Sequence, residues 1–347
     1  MAQPAAGPLE HAIQALAGGE SLSEAHAAEV FGAIMRGAAT PAQVGGLLMA
    51  LRVKGETADE VAGAARALRD AMIRVEIEAP HLVDTAGTGG GAVTTFNIST
   101  GAALVAAGAG ATVAKHGNRS YTSRCGSADV LEALGVSVQL DARGVARALR
   151  EARVAFLFAP NFHPAMKHVA PVRKELGVTT LMNLLGPLAN PASVRRQVIG
   201  VADSGRGPLV AHALARLGAE HALVVHGTVG MDEISPTGPT RVWEVQDGAV
   251  REWTIDPQHY GLAIGDVTQL RGEEPAANAR RLERILADGA DQAGRAAVVL
   301  NAAAAIYVAG LTPSYEEGVS AAGTALDSGA ARAALERLRR TGINSGG

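Results

Sequence analysis

Apolar and polar positions in about the first 75 residues recur with the period of an α-helix and fall into short blocks. Each block opens at a capping signal and closes at a glycine. The opening signals are Ser21 with Glu24, Thr40 with Pro41, and Thr57 with Glu60. Gly37 and Gly55 supply left-handed stops for two of the blocks. The pattern predicts consecutive short helices that form a small helical lobe.

From His81 onward, brief apolar runs alternate with helical stretches, an order typical of βαβ units around a largely parallel sheet. The predicted strands are Leu82 to Thr85, Thr112 to Lys115, Val136 to Leu140, Val154 to Phe158, Gln197 to Val201 and Ala222 to His226. The predicted helices are Ile98 to Ala107, Ala128 to Leu134, Ala142 to Glu151 and Pro208 to Leu217. Arg241 to Ile255 reads as a hairpin turned at Asp247-Gly248, and Asn278 to Gly347 returns to helical periodicity. The class predicted is α/β with a mostly parallel central sheet.

The composition limits the classes of ligand that we expect the chain to bind. The 347 residues, 48% of them hydrophobic, are enough for a large and a small domain with a cleft between them. A formal net charge of -3 gives no global attraction for nucleic acid or an anionic membrane, and 3% aromatic residues leave few platforms for stacking bases. We therefore expect a small-molecule ligand and no nucleic acid.

The single cysteine, Cys125, has no intramolecular disulfide partner, and the N-terminus lacks a secretory pattern. Both observations predict a cytoplasmic protein. No apolar run reaches the roughly 18 residues that span a bilayer, so no membrane segment is predicted.

Three polar loops are candidates for chemistry. The first, Gly87 to Gly91, has four glycines in five positions between a strand and a helix, so its backbone N–H groups can approach a phosphate; the same composition also serves turn geometry alone. The run Thr95 to Thr100 behind it carries hydroxyl and amide groups that either cap the helix or reach phosphate oxygens and a hydrated cation.

The second loop, Lys115 to Ser123, packs two cations, a glycine and several donors into nine residues, which suits a pyrophosphate. Ser127 and Asp129 read as the cap of the next helix, and Ser127 is also a candidate ligand. In the third loop, the adjacent carboxylates of Asp232 and Glu233 repel unless a cation compensates them. Mg²⁺ with substrate phosphates is one reading of this pair, and an acidic surface turn is the other.

In this order, five segments resemble the motifs of anthranilate phosphoribosyltransferases, and the strings KHGNRS and GSADVLEALG are the most specific. The segments are Gly87 to Thr100, Lys115 to Gly135, His163 to Gly177, Asn183 to Pro191, and Asp232 to Ile234. The resemblance spans nearly the whole chain and implies a nucleoside-phosphorylase-like fold. It implies a small all-helical domain over residues 1–78, completed by about 165–190, and a large α/β domain over 79–347. It also implies a homodimer joined through the helical domains.

The resemblance implies ligands for individual positions. Phosphoribosyl pyrophosphate would be bound by Gly87, Gly90, Gly91, Thr95, Asn97, Ile98, Ser99, Thr100, Lys115, His116, Gly117, Asn118, Arg119, Ser120, Tyr121, Thr122, Ser123 and Ser127. Anthranilate would be bound by Gly87, Asn118, His163, Arg173 and Gly186, and Mg²⁺ by Ser99, Asp232 and Glu233. Arg173 is the natural partner of the anthranilate carboxylate.

The implied reaction joins the anthranilate amine to C1 of the ribose and expels pyrophosphate, a step in tryptophan biosynthesis. Lys115 and Arg119 are the predicted catalytic residues, because with Mg²⁺ they would neutralise the leaving group. No dedicated general base is evident, which leaves a water molecule or His116 to accept the released proton.

Two positions depart from the pattern of the family that the chain resembles. Gly91 stands where that family has Asp, so we expect one weakened metal contact, with Asp232 and Glu233 sufficient for function. Thr179 stands where Arg is usual and removes a cation near Asn183.

Two other functions remain open on the sequence. A pyrimidine-nucleoside phosphorylase would share the fold, but its phosphate loop differs and it has no need of the Asp232-Glu233 pair. A non-catalytic paralogue that binds nucleic acid would need a basic face, against which the net charge of -3 argues.

Overall fold

A computed structural model describes residues 7–120, 124–287 and 290–343. Its first part is helical, as the sequence predicts. The helices are α1 (Pro8–Ala17), α2 (Glu24–Met35), α3 (Pro41–Lys54) and α4 (Ala58–Asp70). Gly37 and Gly55 have φ angles of 75° and 91°, the left-handed conformation expected of helix stops.

Two of the three predicted caps form. Thr40 and Gln43 make a reciprocal capping box at the start of α3, and Thr57 and Glu60 make another at α4. The prediction for Ser21 is wrong. Ser23 is the cap of α2, because its hydroxyl accepts the His26 N–H at 3.3 Å, whereas the Ser21 hydroxyl accepts from Lys54 Nζ at 3.2 Å. Glu24 is the first helical residue (N1) and not the third (N3), which a capping box with Ser21 would require.

The α/β part is built on a seven-stranded sheet in the order β3-β2-β1-β4-β5-β6-β7. The strands are β1 (Leu82–Gly87), β2 (Thr112–Gly117), β3 (Val154–Phe158), β4 (Arg196–Gly200), β5 (His221–Gly227), β6 (Thr240–Gln246) and β7 (Ala249–Ile255). The first five run parallel, and β6 and β7 add an antiparallel hairpin. Asp247 and Gly248 turn this hairpin with positive φ angles of 50° and 79°, as predicted.

The helices of this part are α5 (Ile98–Gly108), α6 (Ser127–Ala133), α7 (Ala142–Ala152), α8 (Ala159–Phe162), α9 (Ala170–Leu176), α10 (Met182–Leu188), α11 (Gly207–Arg216), α12 (Pro275–Ala287), α13 (Gln292–Val308), α14 (Tyr315–Asp327) and α15 (Ala330–Ile343). The predicted strand Val136 to Leu140 is wrong, because this stretch is a loop between α6 and α7. Its alternate residues Val136, Val138 and Leu140 are buried, which produces the strand-like pattern, yet it pairs with no strand in the described chain.

Buried side chains cover both faces of the sheet. One cluster joins the sheet to α5, α6 and α12–α15. The other joins the opposite face to α11, to α1–α4 and to the segment with α9 and α10. Ala165, Val169 and Leu185 therefore pack in one core with the N-terminal helices, although about a hundred residues separate them in sequence. The predicted α/β class with a small helical part is confirmed.

Strand order reverses beside β1. The chain goes from β1 outward to β2 and β3, and then returns to place β4 on the other side of β1. The loops that leave the carboxyl ends of β1 and β4 consequently diverge and leave a crevice, the place where ligands bind in open α/β sheets.

A buried carboxylate stabilises the outer strands. Glu244 on β6 is fully buried and accepts hydrogen bonds from His221 Nε2 at 2.8 Å, Tyr307 Oη at 2.9 Å, Trp253 Nε1 at 2.8 Å and Arg251 Nε at 2.9 Å. Burial alone would raise the pKa of Glu244, but the hydrogen bonds from His221, Tyr307 and Arg251 outweigh it and hold the pKa at about 2.

This network predicts the pH dependence of stability. Because the pKa of Glu244 is lowered from 4.5 to about 2, its contribution is complete above pH 4.5 and is lost as the pH falls towards 2. We expect Glu244→Gln to lower the free energy of unfolding at pH 7 by about 2 kcal/mol, and by less at pH 3. Urea denaturation at both pH values measures this difference. Glu252→Gln, at a 48% exposed side chain on β7, is the control and should change stability by about 0.5 kcal/mol or less. An equal loss from Glu244→Gln at both pH values would contradict the assignment.

Candidate active site

Three predicted loops meet at the carboxyl edge of the sheet, beside the crevice. The glycine loop follows β1, the Lys115 loop follows β2, and the acidic loop follows β5. Three contacts join them: Gly89 N to Asp232 Oδ2 at 2.9 Å, Thr95 Oγ1 to Glu233 Oε1 at 3.2 Å, and Lys115 Nζ to Ser99 Oγ at 3.1 Å. Segments more than a hundred residues apart thus form one site.

The glycines let the acidic loop approach the backbone of β1 and β4. A Cβ atom at Gly87 would lie 2.8 Å from Asp232 Oδ2, and one at Gly200 would lie 1.6 Å from the Asp232 carbonyl oxygen. Gly89 and Gly90 have φ angles of 68° and 79°, so the turn itself also requires glycine. The interpretation of this loop as turn geometry therefore applies, and the phosphate-binding interpretation stays a prediction, with the backbone of Gly89 and Gly90 exposed.

Gly91 also touches the acidic loop. A Cβ atom there would lie 3.0 Å from the Gly230 carbonyl oxygen and 3.4 Å from Asp232 Oδ1. A side chain at position 91 would consequently stand directly beside the Asp232 carboxylate.

The start of α5 separates the predicted ligands into two groups. Ser99 is partly buried at the meeting point of the loops, whereas the side chains of Ile98 and Thr100 lie in the core, 0% and 1% exposed. Any contact of these two residues with a ligand is therefore through the backbone. Asn97 is the N-cap residue but makes no side-chain cap; its amide instead donates to the Cys125 carbonyl at 3.2 Å and accepts from Asn278 at 3.1 Å.

Lys115 lies inside the site. Its side chain is buried and donates to the Thr85 carbonyl at 2.6 Å as well as to Ser99. Burial lowers the pKa of Lys115 to about 8, while the charges of Asp84 and Glu233 act in the opposite direction. The amine is therefore mostly charged at neutral pH.

Arg119 has a different environment. Its side chain is 44% exposed and forms ion pairs with Asp129 at 2.6 Å and Glu132 at 2.7 Å on α6. The hydrogen bonds that its guanidinium donates to these carboxylates, to Glu132 first, raise its pKa. Arg119, the second predicted catalytic cation, is thus held by the acidic side chains of α6. Its backbone N–H donates to Asn118 Oδ1 at 2.7 Å.

The other residues of the second loop differ in how far they are buried. Gly117, Asn118 and Ser120 are partly buried, and Tyr121, Thr122 and Ser123 lie outside the described residues. Ser127 is not the helix cap. Gly126 occupies that position, and Asp129 Oδ2 accepts its N–H at 2.8 Å, so Ser127 is the first residue of α6.

Two histidines and Gly186 form a separate group. His116 Nδ1 lies 3.1 Å from the Gly186 carbonyl oxygen, and its Nε2 lies 3.2 Å from His163 Nε2. Burial lowers the pKa of His116 to about 3 and that of His163 to about 4, so both rings are neutral at neutral pH. Both ring nitrogens of His116 already face polar partners, so of the two proton acceptors left open by the sequence, water is favoured over His116. Arg173 lies partly buried in the last turn of α9.

The structure supplies a cation near Thr179. The Arg52 guanidinium of α3 donates to the Thr179 carbonyl oxygen. Sequence reasoning missed this contact because 127 residues separate the two positions.

Sequence reasoning also missed Asp84 and Asn190, which are both buried below His116. The signal that could have identified Asp84 is an acidic residue directly after Leu82 and Val83 in a predicted buried strand.

The carboxylates Asp232 and Glu233 are partly buried with few donors. Burial raises the pKa of Asp232, and burial together with the Asp232 charge raises that of Glu233 well above its usual range. Within the described ranges, no group of three or more His, Cys, Asp or Glu side chains is placed to hold a metal without other ligands. No helix of the described chain is long and apolar enough to cross a membrane.

Comparison with known proteins first gives the class. Residues 79–332 match the family described as glycosyl transferase family, a/b domain, and residues 10–72 match its helical bundle domain. These matches agree with the helical first part and the α/β part of the fold.

Individual relatives are more specific. The chain is 52% identical over 330 residues to the anthranilate phosphoribosyltransferase of Anaeromyxobacter dehalogenans (95% of this chain, 97% of the relative). It is 53% identical over 333 residues to that of Rubrobacter xylanophilus (96% and 97%). The crystal structure of the Thermus thermophilus enzyme superposes with a TM-score of 0.90 at 45% identity, covering 95% of this chain and 98% of that one. The chain belongs to the anthranilate phosphoribosyltransferase family, as the sequence motifs predict.

A second solved structure carries ligands. The Saccharomyces cerevisiae anthranilate phosphoribosyltransferase, in complex with PRPP and Mg, superposes with a TM-score of 0.86 at 30% identity, covering 96% of this chain and 97% of that one.

Proposed function

We propose that this chain transfers the 5-phosphoribosyl group of phosphoribosyl pyrophosphate to the amine of anthranilate. The products are N-(5-phosphoribosyl)anthranilate and pyrophosphate, so the enzyme is a pentosyltransferase of tryptophan biosynthesis. The observation that carries this proposal is the junction of the glycine loop, the Lys115–Ser99 pair and the acidic loop at one crevice, in a chain about half identical to enzymes of that name.

Phosphoribosyl pyrophosphate is assigned to the junction of the three loops. Its phosphates would meet the exposed backbone of Gly87, Gly89 and Gly90 and the side chains of Ser99 and Lys115. Of the remaining predicted ligands, those that the structure describes lie at the start of α5, in the loop after β2 and at the start of α6.

Anthranilate is assigned to the side of the crevice with His116, His163 and Gly186. The two neutral imidazoles add no charge there, and the exposed Gly186 backbone leaves room for an aromatic ring. Arg173 is the proposed partner of its carboxylate.

The residues present fit Mg²⁺. Asp232 and Glu233 accept direct hydrogen bonds from Gly89 and Thr95, and their raised pKa values indicate that more positive charge is needed to keep both ionised. Mg²⁺ typically takes one or two carboxylates and completes its shell with waters and substrate phosphates, so the absence of a larger acidic cluster in the described residues is consistent with this ion. Asp232, Glu233 and Ser99 would hold it.

Catalysis in this site rests on positioning and charge. The amine nitrogen forms a bond to C1 of the ribose while the C1–O bond breaks, and the pyrophosphate leaves with the electron pair. Lys115 places a charged amine beside Ser99 to stabilise the leaving oxygens, and backbone N–H groups of the glycine loop assist it. When bound, Mg²⁺ supplies further neutralisation of pyrophosphate charge. Water takes the amine proton, because both ring nitrogens of His116 already face polar partners, Nδ1 the Gly186 carbonyl and Nε2 the His163 ring.

Arg119 has to exchange partners to take part. Its ion pairs with Asp129 and Glu132 are exposed, and such pairs are worth about 1 kcal/mol or less, so a pyrophosphate can compete for the guanidinium.

The two alternative functions are not favoured. The relatives carry the name anthranilate phosphoribosyltransferase over nearly the whole chain, and the Asp232-Glu233 loop contacts the phosphate loop directly. A pyrimidine-nucleoside phosphorylase or a nucleic-acid-binding paralogue explains neither observation.

The activity is tested by the loss of anthranilate fluorescence with phosphoribosyl pyrophosphate and Mg²⁺. We expect loss of fluorescence that depends on all three components, and about a hundredfold lower kcat for Lys115→Met, because a methionine keeps the buried shape but removes the charge. Arg143→Met, at an exposed arginine of α7, is the control and should retain the wild-type rate. A folded wild-type protein that consumes no anthranilate would refute the proposed function.

The consequence of Gly91 is tested separately. We propose that glycine here weakens one metal contact, so Gly91→Asp should lower the Mg²⁺ concentration for half-maximal activity several-fold and increase the rise in Tm that Mg²⁺ gives with phosphoribosyl pyrophosphate. Gly91→Asn is the matched control, because its Cβ meets the same Gly230 carbonyl at 3.0 Å without adding charge. An unchanged Mg²⁺ dependence in Gly91→Asp would count against the hypothesis.

The domain organisation remains a proposal. Residues 1–78, completed by about 165–190, would form the helical domain, and residues 79–347 the α/β domain. The shared core of α1–α4 with α9 and α10 supports this division. A cytoplasmic location is also proposed, on the ground that the only cysteine is buried and has no second cysteine to pair with; cell fractionation tests it.

We propose further that the chain forms a homodimer through the helical domain. Val53 on α3 is 81% exposed and Val178 is 43% exposed, and the contact from Arg52 to Thr179 brings together the two segments that carry these valines. Light scattering should give the mass of a dimer, and Val53→Asp should weaken association about tenfold or more, since a charge would enter the interface. Val229→Asp, at an exposed valine outside the helical domain, should leave the dimer intact. A monomeric wild-type protein would exclude the dimer.

A further inference from the structure

A buried carboxylate lies directly below the histidine group. Asp84 on β1 is 0% exposed, and its Oδ1 accepts the backbone N–H of His116 at 3.1 Å. Its Oδ2 accepts from Asn190 Nδ2 at 2.7 Å. Burial of an ionisable group at this position costs free energy, and an apolar side chain would fill the same space without that cost. The hydrogen bonds of Asp84 therefore have a role other than packing.

Asn190 ties three parts of the chain together. It is 3% exposed, its Nδ2 also donates to the Ala114 carbonyl of β2 at 2.8 Å, and its Oδ1 accepts the Ala192 N–H at 2.8 Å. Through Asp84 and Ala114 it fastens the end of the segment with α10 to both β1 and β2.

The polar pair occupies a split in the sheet. β1 and β2 are paired only at Leu82 with Thr112 and at Val83 with Val113, while β1 stays paired with β4 from Asp84 to Gly87. Beyond Val83, the Asp84 side chain takes the hydrogen bond of the His116 N–H that a neighbouring strand would otherwise provide. On the side that faces β1, the position of His116 therefore depends on the Asp84 side chain and not on a β ladder, while on its other side His116 pairs with Leu157 of β3.

His116 is held by the same segment a second time. Its ring Nδ1 contacts the Gly186 carbonyl of α10, and its Nε2 contacts His163. The backbone of His116 is thus fixed through Asp84 and Asn190, and its ring through Gly186.

From this geometry we propose that Asp84 is a positioning residue for anthranilate. With Asn190, it fixes His116 against α10 and so sets the spacing of the His116, His163 and Gly186 side of the crevice, without touching substrate. The inference rests on the proposed function, because it assigns a role to that site's supporting residues.

The ionised form of Asp84 is the one that makes both contacts. Burial raises the pKa of Asp84 to about 6, while Asn190, Lys115 and the His116 N–H oppose the rise. Lys115 and His116, both on β2, are the titratable neighbours. Below pH 6 the carboxyl takes up a proton, and one of its two acceptor oxygens becomes a donor that faces the Asn190 amide.

Asp84→Asn mimics the protonated acid at constant shape. The NH₂ group of the new amide would face Asn190 Nδ2, which is also a donor, so the hydrogen bond between the two side chains would be lost. We expect the KM for anthranilate to rise about tenfold or more, because misplacement of supporting groups by a fraction of an ångström weakens a positioned ligand, and the KM for phosphoribosyl pyrophosphate to change about twofold or less. We also expect the wild-type KM for anthranilate to rise below pH 6 relative to that of the variant, which should lack this inflection.

Gln197→Met is the matched control. Gln197 is 1% exposed and donates to the Pro187 carbonyl at 2.9 Å, so it holds the same segment to β4 without contacting His116. If Asp84 serves stability alone, both variants should lower Tm and raise both KM values similarly, and the proposal is overturned. If only Asp84→Asn raises the KM for anthranilate, the positioning role stands.

Asn190→Ala provides a second variant should Asp84→Asn fail to fold, because it removes the other half of the pair. It should raise the KM for anthranilate selectively, and unchanged values for both substrates would overturn the proposal. A wild-type protein without any turnover would instead refute the proposed function, which keeps the two failures distinct.

Discussion

The contact of the acidic loop with the backbone of β1 and β4 is the constraint on which the site depends. The Asp232 carbonyl lies where a side chain at Gly200 would stand, and its carboxylate lies against Gly87 and Gly91. Only glycine permits an approach this close. With it, two carboxylates from the loop after β5 come to lie beside the glycine loop after β1; any larger residue would push them out of the crevice.

The opposing charges of the site are distributed by burial. Lys115 lies below the loops and is fixed by Thr85 and Ser99, so it needs no rearrangement to meet an anion. Arg119 lies at the surface, where solvent screens its ion pairs with α6. One cation is therefore preorganised, and the other responds to the arrival of ligand and to ionic strength. The histidine group adds no charge, because both rings are neutral, and this suits an aromatic substrate on that side.

Local signals in the sequence were enough for most of the fold. The helix α5, the Asp247-Gly248 hairpin and the caps at Thr40 and Thr57 depend on neighbouring residues, and all form as predicted. The stretch from Val136 to Leu140 failed because alternate burial arises against helices as well as in a sheet.

For the site, the sequence indicated which loops carry polar side chains but not how those side chains pair. The sequence does not indicate that Arg119 has an acidic partner, whereas in the fold it forms an ion pair with Asp129. The contact of Asp84 with Asn190 spans 106 residues and has no local signal other than a carboxylate in a buried strand. Contacts of this kind depend on tertiary packing, which the pattern of hydrophobic residues along a single sequence does not encode.

The last strand has a consequence for association with other molecules. β7 ends the sheet and carries the exposed side chains of Arg251 and Glu252, while β3 at the other end is buried throughout. Charged side chains on a free edge discourage a further strand from adding to it, so the sheet is protected against edge-to-edge aggregation. Ordered assembly is thereby directed away from the backbone of the sheet and towards side-chain surfaces of the helices, whose contacts are specific to shape and composition.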